Sequence, residues 1–245
     1  MKNKISVVAC AIFFILLYSI ALLPHEKIDE LTNEDGFVEN LSALFFFSAS
    51  ILFFFSYLKS TTGNNLLYVK TKKNIFFLLF FFLFLFIAGE EVSWGQRFFE
   101  LETADFFKEK NLQSENNLHN LKIFNSVDEN NTERSWYYIF TMSRLFRIFW
   151  FTLCLVLPIA CALNNQVHRL CTTVNFPIFP LYFGHFLLLS YLLNKYLEKQ
   201  LGMHLDIVEV EECYTAIIFF FISLKLVPES SKKLNQYSRS GNEFA

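Results

Sequence analysis

Ile75-Phe76-Phe77-Leu78-Leu79-Phe80-Phe81-Phe82-Leu83-Phe84-Leu85-Phe86-Ile87-Ala88, running without a break into Gly89-Glu90-Glu91-Val92-Ser93-Trp94-Gly95-Gln96-Arg97, is the stretch that decides how this chain folds. As a helix the apolar run covers about 21 Å at ~1.5 Å per residue, against a hydrocarbon core of about 30 Å. A span built on it must carry Glu90 and Glu91 below the headgroups. There an ionisable group costs about 2.5–3.5 kcal/mol on insertion scales unless it is partnered. A lipid-facing carboxylate pair would be selected against. The pair is therefore expected to face a polar cavity inside a helix bundle, and that cavity is where function should be sought.

The remaining composition points to the same class. Hydrophobic residues make up 53% of the chain and aromatics 19%, with 33 phenylalanines in 245 residues. Six segments read as spanning helices, at about 5–23, 37–58, 75–95, 138–162, 176–196 and 208–227. With so many helices in this length, one all-α polytopic membrane bundle over residues 1–245 is expected, without a separate soluble domain. A net charge of −2 points neither to nucleic acid nor to an acidic partner. Internal repeats, a Gly-rich phosphate loop, GxSxG and CxxC are all lacking from the sequence. Lys2 and Lys4 precede the first segment, but Ile5 to Leu23 is longer than a signal core and has no small-x-small exit, so a retained anchor is expected. Cys10, Cys154, Cys161, Cys171 and Cys213 match no zinc spacing and read as small apolar fillers, with Cys171 in a short basic loop.

Charge orients the bundle. Lys2, Lys4, Lys59, Lys70, Lys72, Lys73, Arg169, Lys225, Lys232, Lys233 and Arg239 share one side if both termini are cytoplasmic. The opposite loops carry Glu26, Asp29, Glu30, Glu34 and Asp35, then Glu100, Glu102, Asp105, Glu109 and Glu115, then Asp206, Glu209, Glu211 and Glu212. The long connection 98–136 is thus extracytoplasmic. Its recurring Phe98, Phe99, Leu101, Phe106, Phe107, Leu112, Leu118, Leu121 and Phe124 predict one or two amphipathic helices on the outer leaflet, with a turn at Asp128–Thr132.

Three helices bring carboxylates to one depth: Asp35 and Glu39 before helix two, Glu90 and Glu91 ending helix three, and Glu209 and Glu212 opening helix six. Spacings of three and four put Glu209 with Glu212, Asp35 with Glu39, and Glu115 with His119 on common helical faces. His185 lies within the fifth apolar run, and Arg144 and Arg147 share a face in the outer half of the fourth. Crowded carboxylates at low dielectric need an arginine or a metal to remain charged. Each group has a plainer reading. Glu34 and Asp35 would cap a helix, and Arg144 and Arg147 would be counter-ions to Glu90 or Glu91. Trp94 would be an interfacial anchor, and His185 a packing residue.

The strings Glu34-Asp35-Gly36-x-x-Glu39, Gly89-Glu90-Glu91-x-Ser93-Trp94-Gly95-Gln96-Arg97 and Asn111-x-Gln113-x-Glu115-x-Asn117-Leu118-His119-Asn120 together resemble a group of uncharacterised bacterial multi-pass membrane proteins. The resemblance covers roughly residues 30–125 and the acidic start of helix six. It implies a site at these motifs and a bacterial inner-membrane location, and it implies no particular reaction.

Three functions fit these residues. The first is an enzyme acting on a lipid or lipid-linked substrate, with a divalent metal held among Glu39, Glu90, Glu91, Glu115, His119, His185 and Glu212. Glu90, Glu91 and His119 would be the catalytic groups. Arg97, Arg144 and Arg147, with Trp94 and Gln96, would bind the substrate. The second is a cation- or proton-coupled transporter using the same carboxylates, although no inverted repeat is visible. The third is a non-catalytic assembly or immunity-type component with a salt-bridged core.

Overall fold

The computed structural model describes residues 2–33, 36–66, 69–96, 98–124, 141–201 and 206–240. Glu34, Asp35, Arg97, the expected turn at Asp128–Thr132 and the first residues of the expected fourth span lie outside the described residues.

The architecture is a helix bundle: α1 (Lys2–Tyr18), α2 (His25–Thr32), α3 (Phe37–Lys59), α4 (Ile75–Glu91), α5 (Asp105–Lys110), α6 (Met142–Phe151), α7 (Leu157–Leu163), α8 (Asn165–Thr173), α9 (Leu181–Leu201) and α10 (Asp206–Ser240). A hairpin of two-residue strands, β1 (Asn65–Leu66) and β2 (Val69–Lys70), joins α3 to α4. Three helical runs, Lys4–Leu22, His25–Lys59 and Met142–Leu163, are long and apolar enough to cross a membrane. Of the other expected spans, α4 has 17 residues and α10 opens with Glu209, Glu211 and Glu212 in its first two turns.

On α3, Leu44, Phe47, Ile51, Phe55 and Leu58 form an exposed stripe at helical spacing. The opposite face buries Ala43, Phe46, Ala49, Ser50 and Phe53. Ser50 returns its hydroxyl to the Phe47 carbonyl at 2.7 Å, so the serine is buried without an orphan donor. An exposed apolar stripe of this length is what a lipid-facing helix presents, and it exceeds what a water-soluble monomer usually exposes.

Phenylalanine makes the core. Phe53 and Phe84 stack at 5.4 Å, Phe46 and Phe84 stack at 5.9 Å, and Phe84 meets Phe219 of α10 at 4.7 Å. α10 is the axis of the bundle: all side chains from Cys213 to Phe219 are buried, as an all-round apolar helix requires. α1 belongs to the same body, since the Tyr18 hydroxyl donates to the Ser190 carbonyl at 2.9 Å and that of Tyr214 to the Cys10 carbonyl at 3.1 Å.

α6 reaches α7 through a π turn, Thr152–Val156. Pro158 offers no N–H to the Cys154 carbonyl, and the helix widens there. The Gly184 backbone approaches so closely that a Cβ would sit 2.2 Å from the Cys154 oxygen. At the hairpin end, asparagines lock the connections: Asn64 Nδ2 donates to the Val174 carbonyl at 2.7 Å and Asn74 Nδ2 to the Asn175 carbonyl at 2.7 Å.

Several segments differ from the sequence expectation. The expected basic loop holding Cys171 is α8, capped by Asn164, whose Oδ1 accepts the Gln166 amide at 2.8 Å. The fifth helix starts at Leu181, because two prolines keep 176–180 out of helix. Within 98–124 the described helices are six-residue α5 and a 3₁₀ turn, Lys122–Phe124, in place of long amphipathic helices. Side-chain bonds to backbone hold that loop, and such bonds compete with helix.

Candidate functional site

The end of the bundle opposite the hairpin is closed by a folded cap, built on the turn that stops α4. Ser93, Trp94 and Gly95 take positive φ values of 45°, 54° and 75°, two of them at residues other than glycine. Such consecutive left-handed residues persist only where surrounding contacts enforce them. Here the reversal lays the Trp94 indole on Gly89, where a Cβ would lie 2.9 Å from the ring. It also lets Trp94 Nε1 donate to Glu90 Oε1 at 2.7 Å. Trp94 is thus an arm holding Glu90, more than the interfacial anchor its type suggests.

Glu90 is 5% exposed, and its second oxygen accepts the backbone amides of Leu118 at 2.5 Å and His119 at 3.0 Å. Glu115, also buried, accepts the Ser93 hydroxyl at 2.6 Å and the Asn117 amide at 2.9 Å. Gln96 bridges the cap, donating to Thr103 Oγ1 at 2.7 Å and accepting the Asn116 amide at 2.7 Å. Asn111 completes it through two bonds to Asn117 and the bridge Asn111↔Leu121. The two longer sequence strings are therefore the two halves of one structure. Glu90, Glu115 and Gln96 serve its folding.

Glu91 points elsewhere, since adjacent helical residues diverge by about 100°. It accepts the Ser42 hydroxyl of α3 at 2.7 Å. It lies within electrostatic reach of Glu212 on α10, His119 on the cap and Glu39 on α3. Glu212 in turn takes the Ser143 hydroxyl of α6 and feels His119 and Arg147. Four helices and the cap thus converge on Glu39, Glu91, Glu212 and His119. His119 Nδ1 stands 3.8 Å from Glu90 Oε2. Burial disfavours its cation, but the Glu90, Glu91 and Glu212 carboxylates outweigh burial and raise its pKa above the ordinary 6.5.

Beside this chamber, Glu211 is 3% exposed and receives Arg147 in bidentate fashion, Nε at 3.1 Å and Nη2 at 3.2 Å. Asn194 of α9 donates to the same carboxylate, and the guanidinium sits 5.7 Å from the Tyr191 ring. The expectation that Arg147 answers Glu90 or Glu91 is corrected: its partner is Glu211. Arg144, Arg147, Trp150, Tyr191 and Lys195 line a cleft of about 460 Å³ on this flank. Trp150 Nε1 is buried without a hydrogen-bond partner among the described residues, a condition that costs about 1–3 kcal/mol.

His185 is exposed on α9. Arg97 lies outside the described residues. Among the described residues no three His, Cys, Asp or Glu side chains stand together at the spacing that ligates one ion. The sequence placed Glu211 only among the acids of an outer loop, whereas it is buried and paired with Arg147, and gave no role to Ser42, Ser143 and Asn194. Asn194 was findable as an amide interrupting the apolar run of helix five, and Ser42 as the residue one turn after Glu39. Comparison of the chain with protein-family models, with curated proteins and with solved structures finds no match.

Proposed function

We propose that the chain is a six-span protein of a bacterial inner membrane with both termini cytoplasmic, and that the capped end faces the outer leaflet. On this reading it is an enzyme, a hydrolase or transferase, acting on a lipid or lipid-linked substrate. One observation carries the proposal. Glu90, Glu115 and Glu211 are each saturated by two or more donors, whereas Glu91 and Glu212 are neighbouring carboxyl groups that, among the described residues, take one hydroxyl apiece, from Ser42 and Ser143. A purely structural design would pair them. Groups that perturb one another in this way mark functional sites. In the chemistry they suit, Glu91 or Glu212 takes the proton of a water or hydroxyl nucleophile, and His119 returns a proton to the leaving oxygen.

A second reading, a non-catalytic membrane component, is favoured by the full internal pairing of Glu90 and Glu211. Lipid-product profiling on overexpression separates the two readings, with Glu91→Gln, Glu212→Gln and His119→Asn beside the wild type, together with metal analysis of the purified proteins. The enzyme reading expects a changed lipid profile that all three variants abolish while remaining folded. An unchanged profile in the wild type, or one the variants reproduce, leaves the structural reading in place.

A further inference from the structure

Two of the five cysteines stand together. The Cys161 thiol of α7 donates to Cys171 Sγ of α8 at 3.7 Å, and both are free thiols. Each is 7% exposed, at the rim of the fold, whereas Cys10, Cys154 and Cys213 are 0% exposed. The scaffold holds the pair from both sides. A single residue, Asn164, separates the two helices, and its side chain caps α8 by accepting the Gln166 amide at 2.8 Å. α7 continues from the π turn in which the Cys154 carbonyl lies against Gly184. Past the other end of α8, the Val174 and Asn175 carbonyls are bound by Asn64 and Asn74, and Asn175 Nδ2 donates to the Gly63 carbonyl at 2.6 Å. The Cys171 carbonyl itself accepts the Phe176 amide at 2.8 Å. The two thiols therefore meet on elements that the rest of the fold fixes in place.

Thiols fixed in contact have a chemistry that a lone buried thiol lacks. The geometric condition that most cysteine pairs fail, sulfurs within reach of one another, is met here. We propose that Cys161 and Cys171 are a reversible thiol–disulfide modification site, oxidised by a small-molecule disulfide and restored by a dithiol reductant. One cysteine, as thiolate, attacks a sulfur of the small disulfide. That S–S bond breaks, and one half departs as a thiolate that takes up the proton the cysteine gave. The second cysteine loses its proton and attacks the protein sulfur of the mixed disulfide. The bond between Cys161 and Cys171 forms, and the other half departs and is protonated. The two cysteines lose two electrons, and one small disulfide is reduced to two thiols. The pair lies beside the hairpin, the end that the proposed topology puts in the cytoplasm. Disulfides in that compartment are mostly transient and redox-sensing, so the resting state there is the dithiol. Glu91, Glu212 and His119 take no part in this chemistry, which stands apart from the enzyme reading.

The test uses the full-length protein in detergent, prepared under argon and treated with oxidised glutathione. Peptide mapping by mass spectrometry should find a disulfide between Cys161 and Cys171, and dithiothreitol should return both thiols. Cys10, Cys154 and Cys213 should stay reduced and be alkylated only after unfolding. Cys161→Ser and Cys171→Ser should each abolish the internal disulfide, and at least one of them should carry a bound glutathione instead. Titration of the wild type against the glutathione couple gives the effective concentration of the pair. Because both helices are fixed, it should exceed the mM range of groups joined by a short flexible linker. A wild-type pair that stays reduced under excess oxidant, or closes only after unfolding, overturns the proposal and leaves the cysteines as packing residues. So does glutathione on both cysteines without closure, pairing with Cys154 instead, or an effective concentration at or below the mM range. These outcomes are read on the wild type, so a serine variant that misfolds does not blunt the test.

Discussion

Among single side chains, neighbouring glutamates divide by partner. Glu90 and Glu91 are adjacent, yet one is locked by an indole and two backbone amides while the other meets a serine and faces further acids. Glu211 and Glu212 divide in the same way, one held by Arg147 and Asn194, the other near Ser143 and His119. His119 is the hinge of the arrangement, since its backbone amide binds Glu90 while its ring answers several carboxylates. Because its pKa in the folded protein is raised above the ordinary 6.5, its stabilisation is complete below that pH. It is lost as pH rises through the folded value. The thermal midpoint of the detergent-solubilised protein should therefore fall as pH is raised from below 6.5 through that value. His119→Gln should flatten this part of the profile. An identical slope in the variant would show that the titrating group lies elsewhere. The pairing of Glu115 with His119 as joint ligands, suggested by their spacing, rested on a helix. The cap is a folded loop, and Glu115 turns to Ser93 and Asn117.

Between elements, the tie that matters most is Arg147 of α6 to Glu211 of α10. It joins a peripheral helix to the bundle axis, with Glu211 buried. Removing one member of such a buried pair leaves an uncompensated charge and costs about 3–5 kcal/mol, whereas replacing both by apolar residues of similar size is close to neutral. Arg147→Met and Glu211→Leu are each expected to lower stability by about that amount, and the double variant should recover most of it. Unfolding in detergent measures all three, and equal losses in single and double variants would falsify the pairing. The π turn before α7 is set by Pro158 in an apolar run, a position the sequence did not single out. Its closeness to Gly184 was not legible either, since nothing local in either segment names the other. The cap shows the opposite error. Its apolar residues suggested a surface helix, and Phe98, Phe99, Leu101 and Leu112 are indeed exposed, but their backbone is shaped by asparagine and glutamine side chains.

For the whole molecule, Lys59, Lys70, Lys72 and Lys73 gather at the hairpin that joins α3 to α4. With positive residues retained on the cytoplasmic side, reporter fusions at Asn65 and at Asn130 should report cytoplasm and exterior respectively. Signals from the same side would overturn the six-span topology. What the sequence by itself determined is the class of protein, a helical bundle with helices apolar enough to cross a membrane, and the need for a polar interior where the third helix runs out of apolar length. Both follow from quantities local to the chain: hydropathy, residue rise and helical spacing. Which glutamate holds the cap and which faces the chamber was decided only in the tertiary structure. So was the choice of Glu211 by Arg147. Helical spacing tells which residues share a face. The rotation of each helix about its axis is set by packing between residues far apart in the chain, 49 positions for Ser42 and Glu91 and 64 for Arg147 and Glu211. A rotation of one residue moves a side chain by about 100°, enough to exchange the partners of Glu90 and Glu91.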